Sequence, residues 1–192
     1  MTTLCRRLVL LSVIDALALL ALSSAVLAQD QPPAPGPTAE HELLKKDLGT
    51  WDATVRFWPQ PDAEPLESKG VEQNELLPGG LWRVSHFEGD FGGAKFVGVG
   101  TFGYDPVEKK YVGTWIDNMS PHLMIVKSDY DAATNILTGT GQSRDPATGK
   151  PGTSKHVSRY PDDKTRTFEI QMPGDDGQYW KVMEIQYTRR AE

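Results

Sequence analysis

Val97 to Asp105 reads VGVGTFGYD. Val97, Val99 and Thr101 are β-branched and share one parity, while Gly98 and Gly100 take the other, in register with Phe96, Phe102 and Tyr104. A two-residue period of β-branched side chains marks a strand. Glycine weakens a strand unless the backbone must bend or another group must come close. The glycine-bearing face is therefore expected to look into an enclosed space. Leu137 to Ser143 (LTGTGQS) repeats the device, with Gly139 and Gly141 against Thr138 and Thr140. Two uses fit. The glycines can let the strand curve under a ring from its neighbour, for which Trp115 is the natural candidate, or they can leave volume for a bound molecule. Both require a curved, closed sheet.

Outward from this stretch, the same period runs through most of the chain. Strands are expected at 50–58, 68–76, 81–87, 95–104, 110–117, 123–130, 136–143, 154–160, 166–172 and 179–189. They are separated by short turn-rich connectors such as Pro78-Gly79-Gly80, Asp105-Pro106 and Asp175-Asp176-Gly177. About ten short strands with hairpin-length loops predict an all-β, antiparallel up-and-down barrel, since closing a twisted sheet of this size removes its edges. Gly89 to Gly93 (GDFGG) reads as a flexible loop at the barrel mouth. One short helix precedes the strands. In 39–48 (AEHELLKKDL), Leu43, Leu44 and Leu48 share a helical face, Thr38 is a plausible N-cap and Gly49 a plausible stop. Its expected role is to cover one end of the barrel.

Residues 1–28 carry Arg6 and Arg7, then LVLLSVIDALALLALSSAVLA, and read as a secretory signal peptide cut after Ala28. Asp15 argues against a stable membrane span, since a carboxylate at that depth costs roughly 3 kcal/mol. Residues 29–38 (QDQPPAPGPT) form a proline-rich linker, and 39–192 a single domain. The only cysteine, Cys5, lies in the leader, so the exported domain has no disulfide and no thiol nucleophile. The formal net charge of −6 becomes more negative when the leader's two arginines and one aspartate are removed. That disfavours nucleic acid and anionic membranes as partners.

Few residues form a recognisable chemical constellation. The histidines, His41, His86, His122 and His156, show no metal-ligand spacing, so no metal site is expected. The glycine-rich GDFGG has no following helix and cannot be a phosphate loop. Trp115-Ile116-Asp117-Asn118-Met119 is the densest polar-aromatic stretch. Asp117 is either a polar anchor beside a pocket, partnered by Arg83, Arg159 or Lys181, or a strand-end turn aspartate accepting backbone N–H bonds. Glu169 and Glu184 sit among apolar neighbours, and the strand around Glu184 has no cleanly polar parity, so its inner face stays unassigned.

Gly49-Thr50-Trp51 at the start of the first strand, with Tyr187-Thr188-Arg189-Arg190 at the end of the last, resembles the calycin superfamily. There the resemblance implies an indole closing the barrel floor with a guanidinium stacked on it. A broader set of segments is similar to the domain-of-unknown-function family numbered 1579: 44–51, EPLESKG (64–70), LLPGG (76–80), 98–105, YVGTWIDNM (111–119), YDAATNIL (130–137), DPATGK (145–150) and KVMEIQYTR (181–189). That resemblance covers nearly all of the exported chain and implies a calycin-like barrel without carrying an activity.

The expected function is binding of a small, partly apolar molecule inside the barrel. Candidate lining residues are Trp51, Phe57, Trp82, His86, Phe96, Phe102, Trp115 and Asp117. The sequence requires no cofactor. Two alternatives remain at this stage: an enzyme using Asp117 with His86 or His122, and, through nitrobindin-like relatives of the fold, a haem protein with His122 or His156 as iron ligand.

Overall fold

The computed structural model describes residues 36–145 and 148–191. Residues 1–35, on which the expected signal peptide and most of the expected proline-rich linker fall, lie outside the described residues. A single 3-10 turn at Ala39–His41 runs into α1 (Glu42–Lys45). Ten strands follow: β1 (Gly49–Phe57), β2 (Leu66–Leu76), β3 (Trp82–Phe91), β4 (Ala94–Asp105), β5 (Lys110–Asp117), β6 (Ser120–Asp131), β7 (Ile136–Arg144), β8 (Pro151–Arg159), β9 (Thr165–Pro173) and β10 (Tyr179–Arg189).

Each strand pairs antiparallel with the next, and β1 pairs with β10 from Trp51↔Arg189 to Phe57↔Met183, so the sheet closes into a barrel without free edges. This is the expected fold. The helix is shorter than its sequence pattern suggests, because after Lys45 it gives way to three-residue turns, with Lys46 N–H on the Leu43 carbonyl at 3.1 Å and Leu48 N–H on that of Lys45 at 3.3 Å, before Gly49, whose φ of +93° turns the chain into β1. Leu43 and Leu44 are nonetheless buried, as expected of the covering face.

Most of the GDFGG segment is strand rather than loop. β3 runs through Gly89 to Phe91, Phe91 pairs with Ala94 of β4, and Gly92 and Gly93 alone turn the chain, both at positive φ, as a tight two-residue hairpin demands.

Strand parity divides the barrel. On β4, Gly98 and Gly100 face inward, and the Trp115 indole from β5 lies across both. On β7, Gly139 and Gly141 face inward beneath Ser128 on one side and Ser154 and His156 on the other. Glycine therefore opens room for cross-strand side chains, an aromatic ring in the first case and polar groups in the second.

The ambiguity around Glu184 also resolves. A β-bulge between Lys181 and Met183 inserts Val182 and shifts the alternation, so Met183, Ile185 and Tyr187 face inward while Glu184 faces out between Lys181 and Arg56.

Candidate functional site

The barrel encloses a cavity of about 530 Å³. The helical segment covers the end where β1 begins and β10 ends. The opposite end carries the β3–β4 hairpin and the β5–β6 turn. Near that mouth and through the middle of the barrel the wall is apolar: Phe57, Phe87, Phe91, Phe96, Trp115 and Phe168, with aliphatic side chains from β6, β9 and β10 between them. Phe57 meets Phe91 edge-on with centroids 5.3 Å apart, and Phe96 stacks on Trp115 at 6.5 Å. Aromatic surfaces held in this way present a large apolar area at low conformational cost.

Trp115 is fixed from two sides. The glycine backbones of β4 support its face, and its Nε1 donates to Asp117 Oδ2 at 3.1 Å. Asp117 Oδ1 accepts N–H bonds from Met119 at 2.8 Å and Ser120 at 2.9 Å. Asp117 is thus a strand-end turn aspartate that also anchors the main aromatic platform of the cavity. No arginine or lysine among the described residues pairs with it.

The floor is built differently. Asp47, in the chain between α1 and β1, is buried against Arg83 of β3 and lies 3.2 Å from Arg166 Nε of β9. Arg166 Nη2 donates to Glu72 Oε1 at 2.5 Å, and Glu72 also accepts from Tyr187 Oη at 2.8 Å and Asn74 Nδ2 at 2.8 Å. Ser85 Oγ donates to Asn74 Oδ1 at 2.5 Å, and Tyr160 Oη donates to Asp47 Oδ2 at 3.2 Å. Burial lowers the pKa of Arg83 to about 10, and burial followed by the Glu72 charge raises that of Tyr187 well above its usual value. Burial is the largest influence on Arg166 and would lower its pKa, but the Glu72 carboxylate together with Tyr187 and Tyr160 outweighs it, and the guanidinium is held charged.

Beneath this network Trp51 is fully buried between two guanidinium groups, Arg166 at 4.9 Å and Arg189 at 4.1 Å from its rings. Arg189 in turn donates to the Lys46 carbonyl at 2.6 Å and to that of Leu48, so it seals the end of the helical segment onto the barrel. The indole and its stacked guanidinium thus stand where the resemblance placed them.

Of the eight candidate lining residues, Phe57, Phe96, Phe102, Trp115 and Asp117 line the cavity. Trp51 lies under the floor rather than in the wall. Trp82 and His86 have the opposite parity to Arg83, Ser85 and Phe87 and lie on the outer face of β3, Trp82 over Gly103. Both are exposed, and neither belongs to the lining; an aromatic or histidine in a strand does not reveal which face it takes.

The pairing of Asp117 with His86 is not assembled, since the sheet separates them. His122 on β6 is outside the lining and shares no hydrogen bond with Asp117 among the described residues. His156 does line the cavity, and burial lowers its pKa to about 4, so the imidazole is neutral. Its Nε2 is engaged by Ser154 Oγ at 2.8 Å and lies against Gly141 in the wall, while its ring meets Phe168 edge-on. With Nε2 held by Ser154, that nitrogen is not free to serve as an axial ligand to haem iron.

The site residues that sequence reasoning missed are the wall aromatics Phe87, Phe91 and Phe168 and the floor charges Asp47, Glu72 and Arg166, with Arg83 considered only as a partner for Asp117. The available signal was weak: Arg166 shares parity with Phe168 and Ile170, which places a charge in an apolar row.

Comparison with solved structures finds a similar fold in the crystal structure of Rv2717c from M. tuberculosis, with a TM-score of 0.60 and 11% identity over 80% of this chain and 99% of that one. No curated protein matches the chain. Residues 36–189, nearly the whole described barrel, match the sequence profile of the family described as "Protein of unknown function (DUF1579)", and the chain belongs to that family.

Proposed function

We propose that this protein binds a small, predominantly apolar molecule in the lumen of its barrel, and that it does so after export from the cytoplasm. The observation that carries the reading is the cavity of about 530 Å³ walled by rigid aromatic side chains and closed at one end by a charged, hydrogen-bonded floor. A volume of this order suits a ligand of drug or metabolite size, and such sites are mostly apolar with a few placed polar groups. Export is supported by the sequence of residues 1–28 alone.

The test uses the protein secreted by its own host and analysed by native mass spectrometry, with and without denaturation, followed by titration of the emptied protein with the fluorophore 1-anilinonaphthalene-8-sulfonate. A co-purified mass lost on denaturation, or saturable fluorophore binding, is expected. Val126→Trp, which fills the lumen from β6, should abolish it while the protein stays folded. The absence of both a co-purified mass and saturable binding would overturn the reading, as would binding unaffected by the filled lumen.

A further inference from the structure

The charged side chains that line the lumen stand at its two ends. Asp47, Glu72, Arg83 and Arg166 pair with one another at the floor, and Asp90 and Asp117 at the mouth are each committed to a turn. Among the described residues, the buried side-chain polar atoms without a hydrogen-bond partner all belong to the floor, on Asp47, Arg83 and Arg166, where the network seals them. The side wall formed by β6, β7 and β8 is different. Ser128, His156 and Ser158 line the cavity there, and all three are buried. Ser128 and His156 pair with Gly139 from either side, so the three positions form a row across the wall with no side chain at its centre. Ser128 Oγ leans into the place that a side chain at Gly139 would take, and Ser158 follows His156 along β8 towards the floor. Ser154 holds Nε2 of His156, but its Nδ1 and the hydroxyls of Ser128 and Ser158 make no hydrogen bond among the described residues. These three atoms are not among the sealed ones, so they keep accessible surface. The side chains that carry them are buried and line the cavity, so that surface opens into the lumen.

We propose that the ligand is an uncharged, hydroxyl-bearing apolar molecule, its hydroxyl received by this side wall between Ser128 and His156 over Gly139, its apolar body lying against Trp115 and the phenylalanine wall. This rests on the lumen-binding reading above and specifies its ligand class. Buried polar groups without partners are costly, and a ligand that supplies the partners recovers that cost. Serine hydroxyls and a neutral imidazole offer donors and acceptors together. A ligand hydroxyl also does both and can answer either tautomer of the imidazole, whereas a carbonyl only accepts. A carboxylate would leave water for a wall that no lysine or arginine among the described residues lines, because both guanidinium groups of the lumen are held by carboxylates at the floor. An ammonium group would likewise meet no carboxylate at this depth, since those of the lumen stand at its ends.

The experiment is calorimetric titration of the purified, emptied protein with five probes that share one aromatic body: 2-ethylnaphthalene, 2-naphthalenemethanol, 2-acetylnaphthalene, 2-naphthoate and 2-naphthylmethylammonium. The methanol compound should bind about five-fold tighter than its ethyl isostere, and tighter than the other three. Ser128→Ala should remove most of that preference and leave ethylnaphthalene affinity in place. A second readout needs no variant. The imidazole nitrogen resonances of His156, followed by NMR, should move further on saturation with the methanol compound than with the ethyl compound. Tightest binding of the acetyl, naphthoate or ammonium compound overturns the proposal. Equal binding of the methanol and ethyl compounds does so too, as does an equal effect of the two on the His156 resonances. In those cases binding in the lumen stands. If no probe binds, ethylnaphthalene included, the lumen-binding reading fails together with it. The wild-type series and the His156 resonances decide the matter even if Ser128→Ala does not fold.

Discussion

The Trp115 Nε1–H donates to Asp117 Oδ2 at 3.1 Å from two residues away on the same strand, where β5 breaks register with β6 between these two positions. One carboxylate therefore closes the β5–β6 turn and holds the largest ring of the cavity wall. Asp117→Ala removes the turn bonds to Met119 and Ser120 together with the indole bond, and should cost about 1–3 kcal/mol in denaturant unfolding. The same variant should red-shift tryptophan emission as Trp115 loosens towards the mouth. An unchanged spectrum would show that the glycine bed alone holds the ring.

The bed itself can be tested. A methyl group at Gly98 would overlap the Trp115 ring, and one at Gly100 would sit 3.1 Å from its Cε3. Gly98→Ala should therefore destabilise the barrel by about 1–3 kcal/mol, the usual cost of overpacking, and Gly100→Ala by less. Trp115→Leu in the Gly98→Ala background should recover much of the loss. A coupling of at least about 1 kcal/mol in the four-member mutant cycle is the expected outcome, measured from urea midpoints.

At the floor, Asp47→Ala leaves Arg83 without its only charged partner among the described residues and leaves Arg166 with Glu72 as its one remaining carboxylate among them. Breaking a buried pair from one side costs about 3–5 kcal/mol. The variant should unfold at markedly lower denaturant than Asp52→Ala, whose partner Arg190 is exposed on the barrel surface. Equal effects of the two substitutions would show that the floor network carries no special weight.

The neutral His156 gives stability a pH dependence. Its pKa is about 4 in the folded barrel against 6.5 in the unfolded chain, so the unfolded state takes up the proton first. Its contribution is fully present above pH 6.5 and is lost as pH falls towards 4. Between pH 6.5 and 5, above the range where most carboxylates titrate, the loss should reach about 2 kcal/mol. His156→Gln should flatten the unfolding free energy over that window. A slope unchanged by the substitution would place the titration elsewhere.

Much of the architecture was legible in the chain. All ten strands show as two-residue periods between turn residues, and two of them, Lys110–Asp117 and Tyr179–Arg189, have the expected bounds. Trp115 over the inward glycines was legible for the same reason: Gly98 and Gly100 share a parity, and the ring lies on the strand that a short turn brings alongside. Trp82 and His86 were misplaced because an aromatic side chain or an imidazole is stable on either face of a sheet. The turn in GDFGG was taken for a loop because three glycines and an aspartate in five positions conceal a two-residue reversal.

Alternation and turn chemistry are local properties, so the amino-acid sequence by itself determined that this chain forms a closed antiparallel barrel with small residues on one face of two strands. The floor could not be read in the same way. Asp47, Glu72, Arg83 and Arg166 are scattered along the chain, and apart from Arg166, in its apolar row, each looks like an ordinary surface charge among its neighbours. Only closure of the barrel brings them within hydrogen-bonding distance, because whether a charge is solvated or buried against a partner depends on which strands face one another across the lumen.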